Sequence, residues 1–335
     1  MSETTGWMRP LGATGLTVSA VCAGGGPLGS MPGIFGYDTP AERAVATVRA
    51  VLDSDIRFID TSNGYSEGES ERRIGAALAA YRDEHGALPD DVVVATKVDP
   101  QGRDYSGDRV RASVAESRER LGLDVLPLVH LHDPEFHSFE DLSAPGGAVD
   151  ALVALRESGE VGAIGLAGGR VQEIARYLDL GVFDVLLVHN RWTLVDRSAR
   201  DLVATAAARG MGVLNAAVYG GGILAQSPPE TVAGTYGYRD APGPVLDAVR
   251  RMREVCSAHG TDLATAALQF SLRDPRVSST IVGISRPERV AQTVSAARAD
   301  VPEALWPELA ALLPGEENWL DAPFTPGSGV GEQGA

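Results

Sequence analysis

Two rhythms of apolar and polar positions alternate along the chain. Short apolar runs recur at Thr17–Ala23, Arg57–Asp60, Val92–Lys97, Val125–His132, Val161–Ala167, Val185–Asn190, Gly212–Ala217 and Ser279–Gly283. Longer amphipathic stretches separate them, near Thr39–Ser54, Ser70–Glu84, Ser106–Leu121, Gly147–Gly159, Gln172–Leu180, Ser198–Arg209, Pro244–His259 and Pro287–Ala297. In the first of these, Ala44, Val45, Val48, Val51 and Leu52 fall at helical spacing. Asp38 or Thr39 is placed to accept a helix N-terminal N–H, and Pro40 is tolerated in the first turn. Strands alternating with helices in this way predict βα units around a parallel sheet.

Eight such pairs predict a closed (β/α)8 TIM barrel, because an open doubly wound sheet would carry a G-x-G-x-x-G after its first strand. Gly24, Gly25, Gly26 and Gly29 follow that strand without the required spacing. Arg9–Thr17, with Gly12 and Gly15, predicts an N-terminal hairpin closing the barrel floor. Thr261–Arg273 is expected as an extra helix between the seventh and eighth units, and Pro302–Leu313 as a last C-terminal helix. Gln226–Gly243 is rich in Pro, Gly and Tyr and reads as a lid-like loop. The barrel is expected to occupy 8–313 as one domain, with flexible tails at 1–7 and 324–335.

Composition narrows the classes. The 335 residues are 44% hydrophobic and 22% charged, enough to bury a full core. The 29 basic and 45 acidic residues give a net charge of −16, which disfavours nucleic acid as a partner. Cys22 and Cys256 cannot build a disulfide framework. No N-terminal apolar segment reads as a signal peptide, and no apolar run is long enough for a membrane span. A soluble, cytoplasmic protein acting on a small molecule is the expectation.

Barrel chemistry is found where strands end. The second, third and fourth strands end in Asp60, Lys97 and His132, and Tyr65 follows Asp60 by five residues. Side-chain parity puts Phe58 with Asp60, Ala95 with Lys97, and His130 with His132 on common faces. These residues make a coherent set. A Lys ammonium favours the phenolate and lowers the pKa of a neighbouring Tyr, and a carboxylate keeps that Lys charged. Tyr and His together could stabilise the oxyanion formed when hydride adds to a carbonyl. His130, one layer deeper, reads as a satisfied core histidine. The H-x-H of His130 and His132, with His189, leaves a metal-dependent barrel hydrolase as an alternative. Too few convergent ligands support it, and no metal is expected.

FIDTSNGYSEGESERRIGAAL, VVVATKV and LVHLHDPE resemble the motifs of the aldo-keto reductase superfamily, with the likeness running from about Met8 to about Leu313. The resemblance implies a catalytic tetrad of Asp60, Tyr65, Lys97 and His132, with Tyr65 as general acid/base. It also implies a nicotinamide cofactor held at the barrel mouth without a Rossmann domain. IVGISRPERVAQT resembles the family segment that cradles the adenosine phosphate, which puts Ser285, Arg286, Arg289 and Gln292 at the cofactor. Gly25, Gly26, His189, Asn190, Ala216 and Gly222 are further cofactor candidates. Arg286 and Arg289 lean towards a 2′-phosphate, so NADP is favoured over NAD. The chain departs from the family at Ala167-Gly168, where a Ser-Asn pair is usual, at His189 for Gln, and at Ala216 for a stacking Tyr. These departures leave a non-catalytic, nicotinamide-binding regulatory protein as a further alternative. HNRWTLVDRSA and VLNAAVYGGGILA resemble the sugar dehydrogenase branch, in which an aldose is oxidised at its anomeric carbon to a lactone. Tyr37, Arg191, Trp192 and Trp319 are the expected sugar contacts.

Overall fold

The computed structural model describes residues 6–225, 234–237 and 239–323. Its eight predicted barrel strands close on themselves: β3 (Val21–Gly24), β4 (Phe58–Asp60), β5 (Val93–Val98), β6 (Leu126–His132), β7 (Val161–Gly168), β8 (Val185–His189), β9 (Gly212–Ala216) and β12 (Ser279–Gly283). All pair in parallel, and β12 closes the ring by pairing with both β9 and β3. Inward-facing Cys22, Phe58, Ala95, Leu128, Ala163, Leu187, Leu214 and Ile281 form the barrel interior. A larger apolar layer lies between the strands and the helices.

The run Thr17–Ala23 is divided in the structure. β2 (Thr17–Ser19) pairs antiparallel with β1 (Met8–Pro10), and the chain breaks at Ala20 before β3 begins. The hairpin caps the barrel floor as predicted, with Leu11 fully buried among the interior side chains. Gly12 is required there. Its φ is +54°, and a Cβ would meet Met211 C at 2.5 Å and Gly210 O at 2.6 Å. The structure gives Trp7, expected in a tail, a place: its indole N–H donates to Asp55 O (2.7 Å). Residues 1–5 and 324–335, both expected as tails, lie outside the described residues, as does half of the expected lid loop. The described part of that loop includes a short antiparallel pair, β10 (Thr235–Tyr236) and β11 (Arg239–Asp240).

Each barrel strand is followed by a helix packed outside it: α2 (Ala41–Leu52), α3 (Glu69–His85), α4 (Gly107–Leu121), α6 (Ala148–Glu157), α7 (Val171–Leu178), α8 (Arg200–Ala208), α10 (Leu263–Leu272) and α11 (Pro287–Arg298). The extra elements include α1 (Pro32–Phe35), α5 (Phe139–Ser143), α9 (Gly243–Ala258) and α12 (Leu305–Ala310).

Two expectations are corrected. The helix against β12 is α10, whereas α9 packs outside it against α10 and α12. The reason is polarity. Most of α10 is buried, as suits a helix in the inner ring, while α9 buries a single stripe through Val245, Val249, Met252 and Cys256. At α2 neither Asp38 nor Thr39 caps the helix; the N-cap is Pro40, with no side-chain bond. The Asp38 carboxylate instead accepts from Ser30 Oγ (2.8 Å), and Ser30 Oγ accepts the Thr39 N–H (3.1 Å). Among the described residues, no helix is long and apolar enough to cross a membrane.

Candidate active site

β4, β5 and β6 are consecutive neighbours in the ring, so their C-terminal ends bring Asp60, Lys97 and His132 to one rim. Lys97 is 2% exposed and donates to Asp60 Oδ2 at 2.7 Å, Thr61 O at 2.6 Å and Tyr65 Oη at 3.2 Å. Three donors thus meet three acceptors. A buried ammonium needs such a set, since alone its desolvation would be prohibitive. Burial pulls the Lys97 pKa down, but Asp60 and Tyr65 outweigh it and raise the value, so the group stays an ammonium. Burial pushes Asp60 up, with Lys97 pulling back.

Tyr65 departs from expectation. Burial pushes its phenol up to about 12; Lys97 opposes the rise and Asp60 adds to it. The ammonium therefore limits the climb of the pKa and does not lower it below the ordinary tyrosine value. Near neutrality Tyr65 is a hydroxyl and a hydrogen-bond donor.

The loop that carries Tyr65 is tightly held. Asn63 donates to Ser113 O (3.2 Å), and its side-chain oxygen accepts from Arg109 Nη2 (3.0 Å). Fully buried Glu71 accepts from Thr96 Oγ1 (2.6 Å) and pairs with Arg120 (3.1 Å). Ser66 and Glu67 adopt φ of 51° and 55°, unusual for residues with a Cβ, and they close the turn into α3.

His132 faces Tyr65 with ring centroids 5.7 Å apart in an edge arrangement. Its Nδ1 lies 2.7 Å from Asp99 Oδ1. The Gly64 N–H (2.6 Å) and the Ser62 hydroxyl donate to the other oxygen of Asp99. This fixes the ring and leaves Nε2 3.8 Å from Asp133 Oδ2. The His132 N–H donates to Tyr105 Oη (2.9 Å), and that hydroxyl donates to Val98 O (2.7 Å). Burial would lower the His132 pKa, but the carboxylates of Asp99 and Asp133 raise it above the ordinary value. Burial pushes Asp99 and Asp133 up, but His132 with the Ser62 and Gly64 hydrogen bonds at Asp99, and His132 with His189 and Lys97 at Asp133, outweigh it and leave both acids below the usual carboxylate range. Asp99, Asp133, Ser62 and Tyr105 were not singled out from sequence. Asp99 was reachable, since it follows Lys97 by two positions and so shares its face.

A cavity of about 370 Å³ opens on this rim, bordered by Asp60, Tyr65, Lys97, His132, Asp133 and His189. Its remaining wall is apolar or lacks side chains, at Gly24, Gly26, Ala167, Gly168, Ala216 and Gly283 among others. A second cavity of about 420 Å³ adjoins it at Gly283, with Ser285, Arg286, Arg289, Thr293, Tyr37 and Arg43 on its walls. The chemistry of this pair suits an elongated anionic ligand: small residues, with Gly283 shared, join the first cavity to a compartment lined with guanidinium groups.

Of the cofactor candidates, Gly26, His189 and Ala216 border the first cavity and Ser285, Arg286 and Arg289 the second. Gly25 does not face either one. It packs into the wall, where a Cβ would lie 3.0 Å from Asp60 O and Ser70 Oγ. Asn190 is fully buried, its side-chain amide nitrogen 3.2 Å from His189 Nδ1 and its backbone carbonyl accepting from the Tyr236 hydroxyl. Gly222 belongs to a turn, its N–H on Tyr219 O (3.0 Å), and Gln292 is exposed while Thr293 lines the cavity.

The sugar candidates are redistributed more strongly. Tyr37 borders the second cavity. Arg191 is paired with Asp321 (2.8 Å). Trp319 is 8% exposed and donates to Pro314 O (3.0 Å). Trp192 is 6% exposed against Phe270, in a side groove bordered by α10 and α12.

His130 lies deeper than His132, as predicted, but neither ring nitrogen has a protein partner. Burial, with Lys97 and His132 nearby, holds it neutral. Gly165 leaves it room, since a Cβ there would collide with the imidazole. His130 and His132 therefore do not converge on a metal site. Among the described residues, the grouping with metal-ligand chemistry is Asp133, Glu135 and His189. Glu135 is already committed through one oxygen to the Gly169 and Arg170 N–H groups.

The aldo/keto reductase family model matches residues 21–313. The chain belongs to the aldo/keto reductase family. D-threo-aldose 1-dehydrogenase of a Pseudomonas species is 33% identical over 326 residues, spanning 89% of this chain and 95% of the relative. L-galactose dehydrogenase of Arabidopsis thaliana is 35% identical, spanning 86% and 87% of the two chains. An aldo-keto reductase from Bacillus halodurans, solved in its holo form, shares the fold with a TM-score of 0.75 at 24% identity, covering 92% of this chain and 96% of that one. This aldo/keto reductase is an NAD(P)-dependent oxidoreductase acting on CH–OH or carbonyl groups, and the hydrolase and regulatory alternatives are not favoured.

Proposed function

We propose that the protein oxidises an aldose at its anomeric carbon to the lactone, or in reverse reduces a small aldehyde or ketone, with NADP preferred to NAD. The observation that carries the chemistry is the hydrogen-bonded chain from buried Asp60 and Lys97 to half-buried Tyr65, facing His132 across one cavity. The aldose assignment draws on the names of the two sugar dehydrogenases to which the chain is similar.

A bound nicotinamide supplies or takes up the hydride. The chain's own residues handle the oxygen and its proton. Tyr65 Oη and His132 Nε2 together hold the reacting oxygen. In oxidation the deprotonated form of Tyr65 takes the hydroxyl proton as the C–H bond breaks, leaving C=O and a neutral phenol; in reduction the neutral phenol gives its proton to the oxygen and is left as the phenolate. Lys97 stabilises the phenolate that oxidation starts from and reduction leaves, and Asp60 keeps Lys97 charged and placed. Asp99 fixes the imidazole so that Nε2 remains on the cavity side. Asp133 and His189, 3.8 Å apart, provide an acceptor and an imidazole for neighbouring polar groups of the ligand.

Because the phenol sits at about 12, its deprotonated form is scarce at pH 7. Aldose oxidation is therefore expected to rise continuously with pH above neutrality, while aldehyde reduction does not. The decisive assay follows absorbance at the reduced-nicotinamide band with a panel of aldoses and aldehydes and both cofactors. Tyr65→Phe should lower kcat by about 10²–10⁴-fold with every substrate, and full retention of turnover would overturn the mechanism.

A further inference from the structure

Beside the catalytic set, three side chains with metal-ligand chemistry converge from two strand ends. Asp133 directly follows β6 and holds a φ of 44°, a left-handed conformation that a short polar side chain tolerates. Glu135 lies in the turn Pro134–Phe136, and His189 is the last residue of β8. One ligand atom from each lies within 4.8 Å of the other two, and His189 Nε2 is 3.8 Å from Asp133 Oδ1. The strand between them, β7, ends in Gly168 and is followed by Gly169, so no side chain fills the gap. A Cβ on Gly168 would collide with Glu135 Oε2, and one on Gly169 would stand 2.9 Å from His189 Cε1. Glu135 is 8% exposed. Its Oε1 accepts the Gly169 N–H (2.5 Å) and the Arg170 N–H (3.1 Å), whereas the buried Oε2 has no protein partner. A buried carboxylate oxygen without a donor or cation is costly. This one is aimed at Gly168, on the wall of the cavity that Asp133 and His189 also border. His189 is supported from behind. The Asn190 side-chain nitrogen lies 3.2 Å from its Nδ1, while Asn190 Oδ1 has no partner. Turning that amide over lets Oδ1 accept an Nδ1–H and leaves the Nε2 lone pair facing Asp133.

We propose that Asp133, Glu135 and His189 bind one zinc ion, with its remaining position open to the catalytic cavity. Two carboxylates and a neutral imidazole carry two negative charges, the complement of a divalent cation. The imidazole and the small number of ligands select zinc over magnesium and calcium, which take six or more oxygens. A tetrahedral site with bonds of about 2.1 Å has ligand atoms about 3.4 Å apart. From separations of 4.8 Å or less, the three side chains reach that spacing by closing at most about 1.4 Å. Glu135 is already anchored through its other oxygen, as a ligating carboxylate needs to be. The open position takes water or an oxygen of whatever occupies the cavity, and the site does not depend on which substrate that is.

The test titrates the full-length protein, free of any affinity tag, with Zn2+ and with Mg2+ by calorimetry, and counts bound metal by elemental analysis after dialysis. The wild type should hold one zinc per chain and bind Mg2+ at least about 100-fold more weakly. Glu135→Gln keeps an oxygen for the Gly169 and Arg170 N–H groups and replaces only the unpartnered one, so the variant should fold as the wild type does. Its zinc affinity should fall by about 100-fold or more, and His189→Ala should show a loss of the same order. Unchanged zinc binding in both variants, or equal affinity of the wild type for Mg2+, overturns the proposal. Two measurements on the unaltered protein decide it even where a variant fails to fold. Co2+ in place of zinc should give the intense visible absorption of tetrahedral coordination, and a weak six-coordinate spectrum counts against the site. In NMR spectra of the imidazole nitrogens, Zn2+ should move the His189 ring; movement confined to His85 or His259 places the metal on the surface and ends the proposal.

Discussion

Asp99 shows how one carboxylate sets the state of the site. It accepts from His132, Ser62 and the Gly64 amide, so it stays ionised to lower pH than a free aspartate, and it raises the imidazole in return. The two shifts act on stability in opposite directions along the pH axis. The Asp99 contribution is present above its unfolded pKa, about 4, and is lost as pH falls through the lower folded value. The His132 contribution is present below about 6.5 and is lost as pH rises through its higher folded value. Asp99→Asn should therefore destabilise the protein most between about pH 4 and 6.5, by about 1–3 kcal/mol, and less at higher pH. Denaturant unfolding across that range measures the stability, and NMR titration of the His132 ring should show its midpoint moving down. An unmoved midpoint would mean that Asp99 does not tune the ring.

At the scale of elements, the predicted strand and helix positions stand in the structure because a parallel barrel writes a strong signal. Each strand is short, apolar and followed by a helix. The failures have physical causes. Within Thr17–Ala23 only Ser19 interrupts the apolar residues, and one small polar residue also fits inside a strand, so the break at Ala20 between the floor hairpin and the barrel was not legible in sequence. Asp60, Lys97 and His132 were legible because strand ends face one rim. Trp192, Arg191 and Trp319 sit in connections, where residue type says nothing of direction. In the structure the indole of Trp192 lies beside Phe270, with Arg197 3.8 Å from the centre of the Phe270 ring, and its carbonyl accepts from Asn215 (2.8 Å). Trp192→Ala should cost about 3–5 kcal/mol of stability and leave KM for sugars unchanged. A raised KM with unaltered unfolding would return this residue to the substrate site.

At the scale of the whole molecule, the proposed ligand touches many separate elements. Gly26, Ala216, Gly283 and the tetrad border one end, and α2 and α11 the other. Binding should therefore stabilise the entire fold. At a concentration 100-fold above Kd, NADP+ should add about 2.7 kcal/mol, visible as a rise of several degrees in Tm by scanning calorimetry. NAD+ at the same concentration should give a smaller rise, and an equal response to both would contradict the proposed preference.

The two compartments meet at Gly283, whose missing side chain leaves the passage open; a Cβ there would stand 3.2 Å from Pro27 Cγ. The molecule is thus laid out as two rooms with a shared doorway. Half-sized guests should be able to lodge independently, an adenosine bisphosphate in one and a sugar analogue in the other. Steady-state inhibition would then separate them: the nucleotide fragment would compete with the dinucleotide alone, and the tenant of the other room would be untouched.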